Sequence, residues 1–160
     1  MTSREFYLDR RKAEHPVFLK VLKALPADQM SYKPHERSSS AGQIAWTLAW
    51  ELRACLTAAT EGRAEWSTEP PPSHAEIVSL FDRHSTELTR AVETMTDTAW
   101  DAPAKFYYQG KLVNEQPVGQ FLWMVHFDAV HHRGQLTAYL RPMGGKVPAI
   151  YGPSADDTGR

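Results

Sequence analysis

Three times in this chain a serine or threonine stands three residues ahead of a glutamate or glutamine: Thr2-Ser-Arg-Glu5, Ser40-Ala-Gly-Gln43 and Ser73-His-Ala-Glu76. At that spacing the hydroxyl accepts from the backbone N–H three residues on. The longer side chain reaches back to the first residue's own N–H, so each tetrapeptide marks the start of a helix. Apolar residues then recur three or four apart, the period of one helical face. The first helix is expected from Thr2 to about Leu25 on Phe6, Val17, Val21, Leu22 and Leu25, with Pro16 breaking or kinking it near His15. The second runs from Ser40 to about Thr60 on Ile44, Leu48, Leu52, Cys55, Leu56 and Ala59. The third runs from Ser73 to Met95 on Ile77, Leu80, Phe81, His84, Leu88, Ala91, Val92 and Met95. A fourth needs no capping box: Pro117 suits an early helical position, and Gly144-Gly145 supplies the stop.

Between these segments the chain changes character. Pro26–Ser39 is polar, and Glu61–Pro72 is a proline-rich linker. Asp97–Gln116 lacks a helical period; within it Lys105–Val113 is aromatic with a glycine turn, which predicts a short irregular or hairpin excursion over one end of the fold. Residues 144–160 read as an irregular C-terminal tail. Four long amphipathic helices in 160 residues fit one domain, 1–160, of the all-α class: a four-helix bundle, a fold that builds sites from side chains projecting inward.

A formal charge of −1 gives no electrostatic footprint for nucleic acid or anionic lipid. The single cysteine, Cys55, excludes an internal disulfide and a multi-cysteine zinc site, and it falls on an apolar face as buried filler. The N-terminus has no apolar signal core, and no window approaches the roughly 20 apolar residues of a membrane span, so a cytoplasmic protein is expected.

Two helical faces contain residues that do not belong in a core. On the fourth helix Phe121, Val125, Asp128, His132, Leu136, Tyr139 and Met143 form one stripe, with Asp128 and His132 side by side at i and i+4. On the second, Glu51 falls among Ile44, Leu48 and Cys55, with Thr47 at the edge. Ionisable groups in an apolar face require a partner or a metal. Asp128 and His132 can satisfy each other through a hydrogen bond, or they can share a cation. His131 is one notch round and His126 lies off the stripe, which places both at the rim or surface; Gln135 flanks the stripe on the His131 side. Trp46 and Trp50 point away from Glu51, toward another helix or a second subunit, and His15, His35 and His84 read as structural or exposed.

The run Asp128-Ala-Val-His-His-Arg-Gly-Gln-Leu136, the apolar helix before it and the Tyr32-Lys-Pro-His35 segment resemble the DinB/YfiT-like family, in helix order over essentially the whole chain. The resemblance implies a four-helix bundle holding a divalent metal on three histidines, one from the second helix and a His-x-x-x-His pair from the fourth. It also implies thiol-dependent S-transferase, isomerase or hydrolase activity on a small molecule, and a homodimer. His132 matches the last family ligand, while Asp128 stands at the first histidine of the pair. Gly42-Gln-Ile-Ala-Trp-Thr47 matches the second-helix motif, so Thr47 replaces the remaining histidine. Glu51, one turn on, is the candidate substitute.

Two readings follow. In one, Glu51, Asp128 and His132 hold a divalent cation (zinc, manganese, iron or nickel), and Gln135, His131 or Tyr139 orients the reacting group, with a low-molecular-weight thiol as possible cosubstrate. In the other, the metal is lost and the chain is a non-catalytic homodimeric bundle, small-ligand-binding or stress-related.

Overall fold

The computed structural model describes residues 1–66 and 68–159; Ser67, in the expected linker, and Arg160, at the end of the expected tail, lie outside the described residues. All three capping boxes close. They open α1 (Ser3–Ala24), α2 (Ala41–Glu61) and α3 (His74–Thr94), with Thr2, Ser40 and Ser73 each accepting from the backbone N–H three residues on. The fourth long helix, α5, spans Val118–Leu140 after a five-residue α4, Asp97–Asp101. Pro117 stands just before α5, and Gly144 takes a left-handed φ of 83° in the turns that follow it. Pro16 does not interrupt α1. Proline removes one intrahelical hydrogen bond, and the buried Phe18, Val21 and Leu22 beyond it hold the helix in the core.

The fold is mostly helical, but it is not all-α. Arg63–Trp66 (β1), Pro103–Tyr108 (β2) and Lys111–Pro117 (β3) form a three-stranded sheet in the order β1-β2-β3. The expected excursion is the β2–β3 hairpin, turned at Gln109 and Gly110, both at positive φ (48° and 75°), the backbone that a two-residue hairpin turn requires. β1 pairs parallel with β2, Arg63 opposite Lys105 and Trp66 opposite Tyr108, inside what the sequence presents as a linker. Arg-Ala-Glu-Trp is too short and too polar to show a strand period. Its partner lies across the whole of α3, beyond any local pattern.

The core is built from α1, α2, α3 and α5: Tyr7, Phe18, Leu22, Leu48, Ile77, Phe81, Leu88, Leu122, Leu136 and Leu140 are almost completely buried. Gly119 lets α5 approach α4, since a Cβ there would lie 2.2 Å from the Trp100 ring. The face that α5 presents to the core is rotated from the expected stripe. Leu122, Ala129 and Leu136, seven residues apart, run down its centre. Asp128, expected in mid-face, has a side chain 58% exposed, and His132 is half-buried on that flank. The opposite flank is also buried, which corrects the expectation for His126: it lies inside, at 6% exposure, with Arg133 about two turns further on.

Trp50 is likewise buried, and its ring meets Trp66 of β1 edge-on at 6.2 Å and Trp46 at 5.5 Å. The same chain's sheet, which the sequence did not reveal, covers the tryptophan face of α2. Among the described residues no helix is long and apolar enough to cross a membrane.

Candidate metal centre

α2 and α5 pack against each other, and across that seam Glu51, Asp128 and His132 converge. Each offers one ligand atom, and these atoms all lie within 4.8 Å of one another. His132 Nε2 is 3.6 Å from Asp128 Oδ2 and 3.8 Å from Glu51 Oε1. Those separations are too long for hydrogen bonds. Two ligands each about 2.1 Å from one ion at a tetrahedral angle stand roughly 3.4 Å apart, so the spacing is close to that of groups bridged by a cation.

The electrostatics point the same way. Glu51 is 4% exposed, and its Oε2 has no hydrogen-bond partner among the described residues. Burial first, then the hydrogen bond a protonated Glu51 makes to Asp128, and then the charge of that carboxylate push its pKa well above the usual carboxylate range. A buried carboxyl with an unused oxygen, a second carboxylate opening to solvent and an imidazole nitrogen make a chemically consistent donor set for zinc, manganese, iron(II) or nickel.

His132 is oriented from behind. Its Nδ1 lies 2.9 Å from Gln135 Oε1, three residues on and therefore on the same side of α5. A carbonyl oxygen accepts, so Nδ1–H donates to it and Nε2 is the ring nitrogen left facing the carboxylates.

The other expected site residues are placed differently. His131 is exposed, its ring 5.5 Å from that of His132. Tyr139 lies two turns along α5, and its hydroxyl donates to the Ser39 carbonyl at 3.2 Å, tying α5 to the entry of α2. Thr47, at the family's histidine position, donates its hydroxyl to the Gln43 carbonyl at 3.0 Å. Thr47 also forms part of the wall of a cleft of about 450 Å³ whose aromatic side is Trp46, Trp50 and Trp66. The cleft wall and Glu51 are thus one helical turn apart on α2.

A second polar cluster, absent from the sequence reading, occupies the other flank of α5. Arg133, almost fully buried, pairs with the buried Glu14 of α1, and the Tyr151 hydroxyl donates to Glu14 Oε1 at 2.9 Å. Arg11, one turn earlier on α1, donates to Ser85 Oγ at 2.6 Å. His126 lies between the Tyr7 and Trp123 rings, edge-on to each at 5.8 Å, and its Nδ1 has no partner among the described residues. Burial, reinforced by the charge of Arg11, lowers its pKa to about 4. The signal was present on α1: Tyr7, Arg11, Glu14, Phe18, Val21 and Leu25 are spaced three or four apart, with two charges in the stripe.

Comparison with known proteins places these features in a family. An uncharacterised protein of Bacillus subtilis (strain 168), YrdA, is 26% identical over 142 residues, 86% of this chain and 81% of its own length. The fold is similar to that of a DinB-like protein from Bacillus cereus ATCC 10987, with a TM-score of 0.74 at 22% identity over 92% of this chain and 97% of that one. The mycothiol-dependent maleylpyruvate isomerase is more distant, with a TM-score of 0.57 at 12% identity over 91% of this chain and 62% of that one. The sequence model of the DinB family matches residues 2–159, nearly the whole length. The chain belongs to the DinB family.

Proposed function

We propose that this protein is a metal-dependent enzyme of the transferase or hydrolase type, acting on a small electrophilic molecule with a thiol or water as nucleophile. Glu51, Asp128 and His132 hold the divalent cation, and Gln135 fixes the tautomer of His132. One observation carries the reading: three potential ligands converge at ion-bridging separations, and one of them, Glu51, keeps a buried oxygen without a partner. The likeness to a mycothiol-dependent isomerase supports a thiol cosubstrate by analogy of fold.

When bound, the cation supplies Lewis acidity, which polarises an oxygen or lowers the pKa of a nucleophile. The chain's own groups do the rest. Asp128 stands at the solvent side of the cluster and Glu51 at its buried side, so a reactant approaches past Asp128. His131, exposed beside His132, is positioned to exchange a proton with the reactant at that mouth. The tryptophan cleft along α2 offers an apolar seat, and the buried Trp50 Nε1–H, without a partner among the described residues, offers a donor for a substrate oxygen.

Elemental analysis of protein purified without a polyhistidine tag tests the metal directly. A stoichiometric divalent ion in the wild type, lost in His132→Ala with helical circular dichroism retained, is the expected result. A wild type that takes up no metal after incubation with zinc, manganese, iron(II) and nickel removes the reading.

A further inference from the structure

Gln43, Thr47 and Glu51 follow one another at i, i+4 spacing, so they share one side of α2. Glu51 belongs to the proposed metal centre, while Gln43 and Thr47 line the cleft of about 450 Å³ beside it. Trp46 and Trp50 of α2 and Trp66 of β1 form its aromatic wall, and Glu69, Pro70 and Pro71 bound it on the side of the linker.

The three rings stand at steep angles. Trp50 meets Trp46 at 5.5 Å between ring centres and 65° between planes, and Trp66 at 6.2 Å and 78°. The wall is therefore not one flat plate, and a compact, rounded group touches more than one ring. Aromatic rings are negative over their faces, which favours a cation among them. Among the described residues that line the cleft, Glu69 alone carries a charge, and it is an acid. Arg53 lies 4.8 Å from the centre of the Trp50 ring, but it belongs to the neighbouring hollow, which it lines with Glu65 and Glu69. Trp50 thus already carries one cation over its ring.

Hydration decides which cation the cleft prefers. A primary ammonium is strongly hydrated and needs acceptors for each of its N–H groups. A quaternary ammonium has no N–H and is held by rings and charge alone. The volume falls toward the lower end of small-molecule sites, roughly 300–1,000 Å³. A divalent ion next door is no obstacle, since the carboxylates of Glu51 and Asp128 balance its charge.

We propose that the cleft binds a small molecule with a quaternary ammonium head, seated against Trp46, Trp50 and Trp66 with Glu69 as its counter-charge. Thr47 in the cleft wall is one helical turn from Glu51, so the rest of the molecule reaches toward the metal centre. That role as the substrate's anchor rests on the metal-dependent reading; binding of the head does not.

Calorimetric titration of chelator-treated protein with choline tests it against two analogues. One is 3,3-dimethylbutan-1-ol, the same shape without the charge; the other is ethanolamine, the same charge with N–H groups. Choline should bind saturably, about tenfold or more tighter than either analogue. Trp46→Leu and Trp66→Leu, both at half-buried positions, should each weaken choline about tenfold. Glu69→Gln, at an exposed position, should weaken it about threefold and leave the neutral alcohol unaffected. His132→Ala should bind choline as the wild type does, so failure of the metal reading leaves this result standing. The proposal is overturned if choline shows no saturable binding, or if the neutral alcohol or ethanolamine binds equally well. It is also overturned if none of the three cleft variants weakens choline, or if His132→Ala abolishes its binding, which would move the site to the metal ligands.

Discussion

His132 and Gln135 form a two-part unit: the imidazole Nδ1 meets the amide oxygen at 2.9 Å, and the remaining ring nitrogen is 3.6–3.8 Å from two carboxylates. Removing the amide leaves every proposed ligand in place but frees the ring to rotate and to change tautomer. Gln135→Leu should therefore lower metal affinity about 10- to 100-fold, as loss of such outer partners does elsewhere, with little change in the apo melting temperature. Competition against a chelator of known affinity measures it. Unchanged affinity would show that Gln135 does not orient His132.

Glu51 gives a pH signature whose sign reverses with metal. Its pKa is raised in the folded chain by burial and by Asp128, so its proton favours the fold. That contribution is complete below the ordinary carboxyl pKa and is lost as pH rises through the folded value. Apo protein should lose stability from this group as pH increases, and Glu51→Gln, permanently neutral there, should not. A cation needs Glu51 ionised, so binding expels the proton, and apparent affinity climbs about tenfold per pH unit below the folded pKa. Calorimetry of metal binding in buffers of different ionisation enthalpy reads the proton release directly. Metal binding with the same proton release in Glu51→Gln as in the wild type at every pH would place Glu51 outside the ligand set.

The parts of this fold legible in the sequence are those written locally. A capping box is closed by residues three apart, and Thr2, Ser40 and Ser73 each announced a helix that is there. Glu51 was legible because a charge interrupts an otherwise apolar period. The same rule applied to α1 exposes Arg11 and Glu14, which the expectation of a break at Pro16 concealed by dividing their stripe. On α5 the reading of a single stripe failed because α5 is buried on both flanks. A stripe centred on Asp128 then assigned His126 to the rim or surface and left Arg133 unnoticed. β1 was illegible for another reason: a strand of four residues draws its identity from β2, which follows in sequence only after α3 and α4.

Arg133 and Glu14 form a buried ion pair, and neither can be removed alone without stranding the other. Arg133→Met should destabilise by about 3–5 kcal/mol, because Glu14 would keep a buried charge with only the Tyr151 hydroxyl against it. The double variant Arg133→Met with Glu14→Leu should recover most of that loss, since well-packed apolar replacements of a buried pair are often neutral. Tyr151→Phe, which removes the hydroxyl that donates to Glu14 and accepts from Arg133, should cost less, about 1–2 kcal/mol. Urea denaturation with metal present and absent measures all three. A double variant no better than the single one would mean that the pair's packing, and not its charge balance, holds α1 to α5.

His126 predicts an acid weakness of the opposite sign from that of Glu51. In the unfolded chain it takes up a proton near pH 6.5, whereas in the fold burial and Arg11 delay uptake to about 4. Between those values the unfolded state binds more protons, so stability falls as pH falls, by about 3 kcal/mol in total if the whole shift is realised. Below the folded value the loss is complete and the dependence ends. His126→Phe keeps a ring of similar shape between Tyr7 and Trp123 and titrates nothing. The difference in unfolding free energy between wild type and this variant, followed by urea denaturation from pH 7.5 to 4, cancels the carboxylates common to both. The variant should gain on the wild type steadily as pH drops through 6. A difference that stays flat across that range would mean that His126 protonates as readily in the fold as out of it, and that its neighbours do not exclude water from the ring.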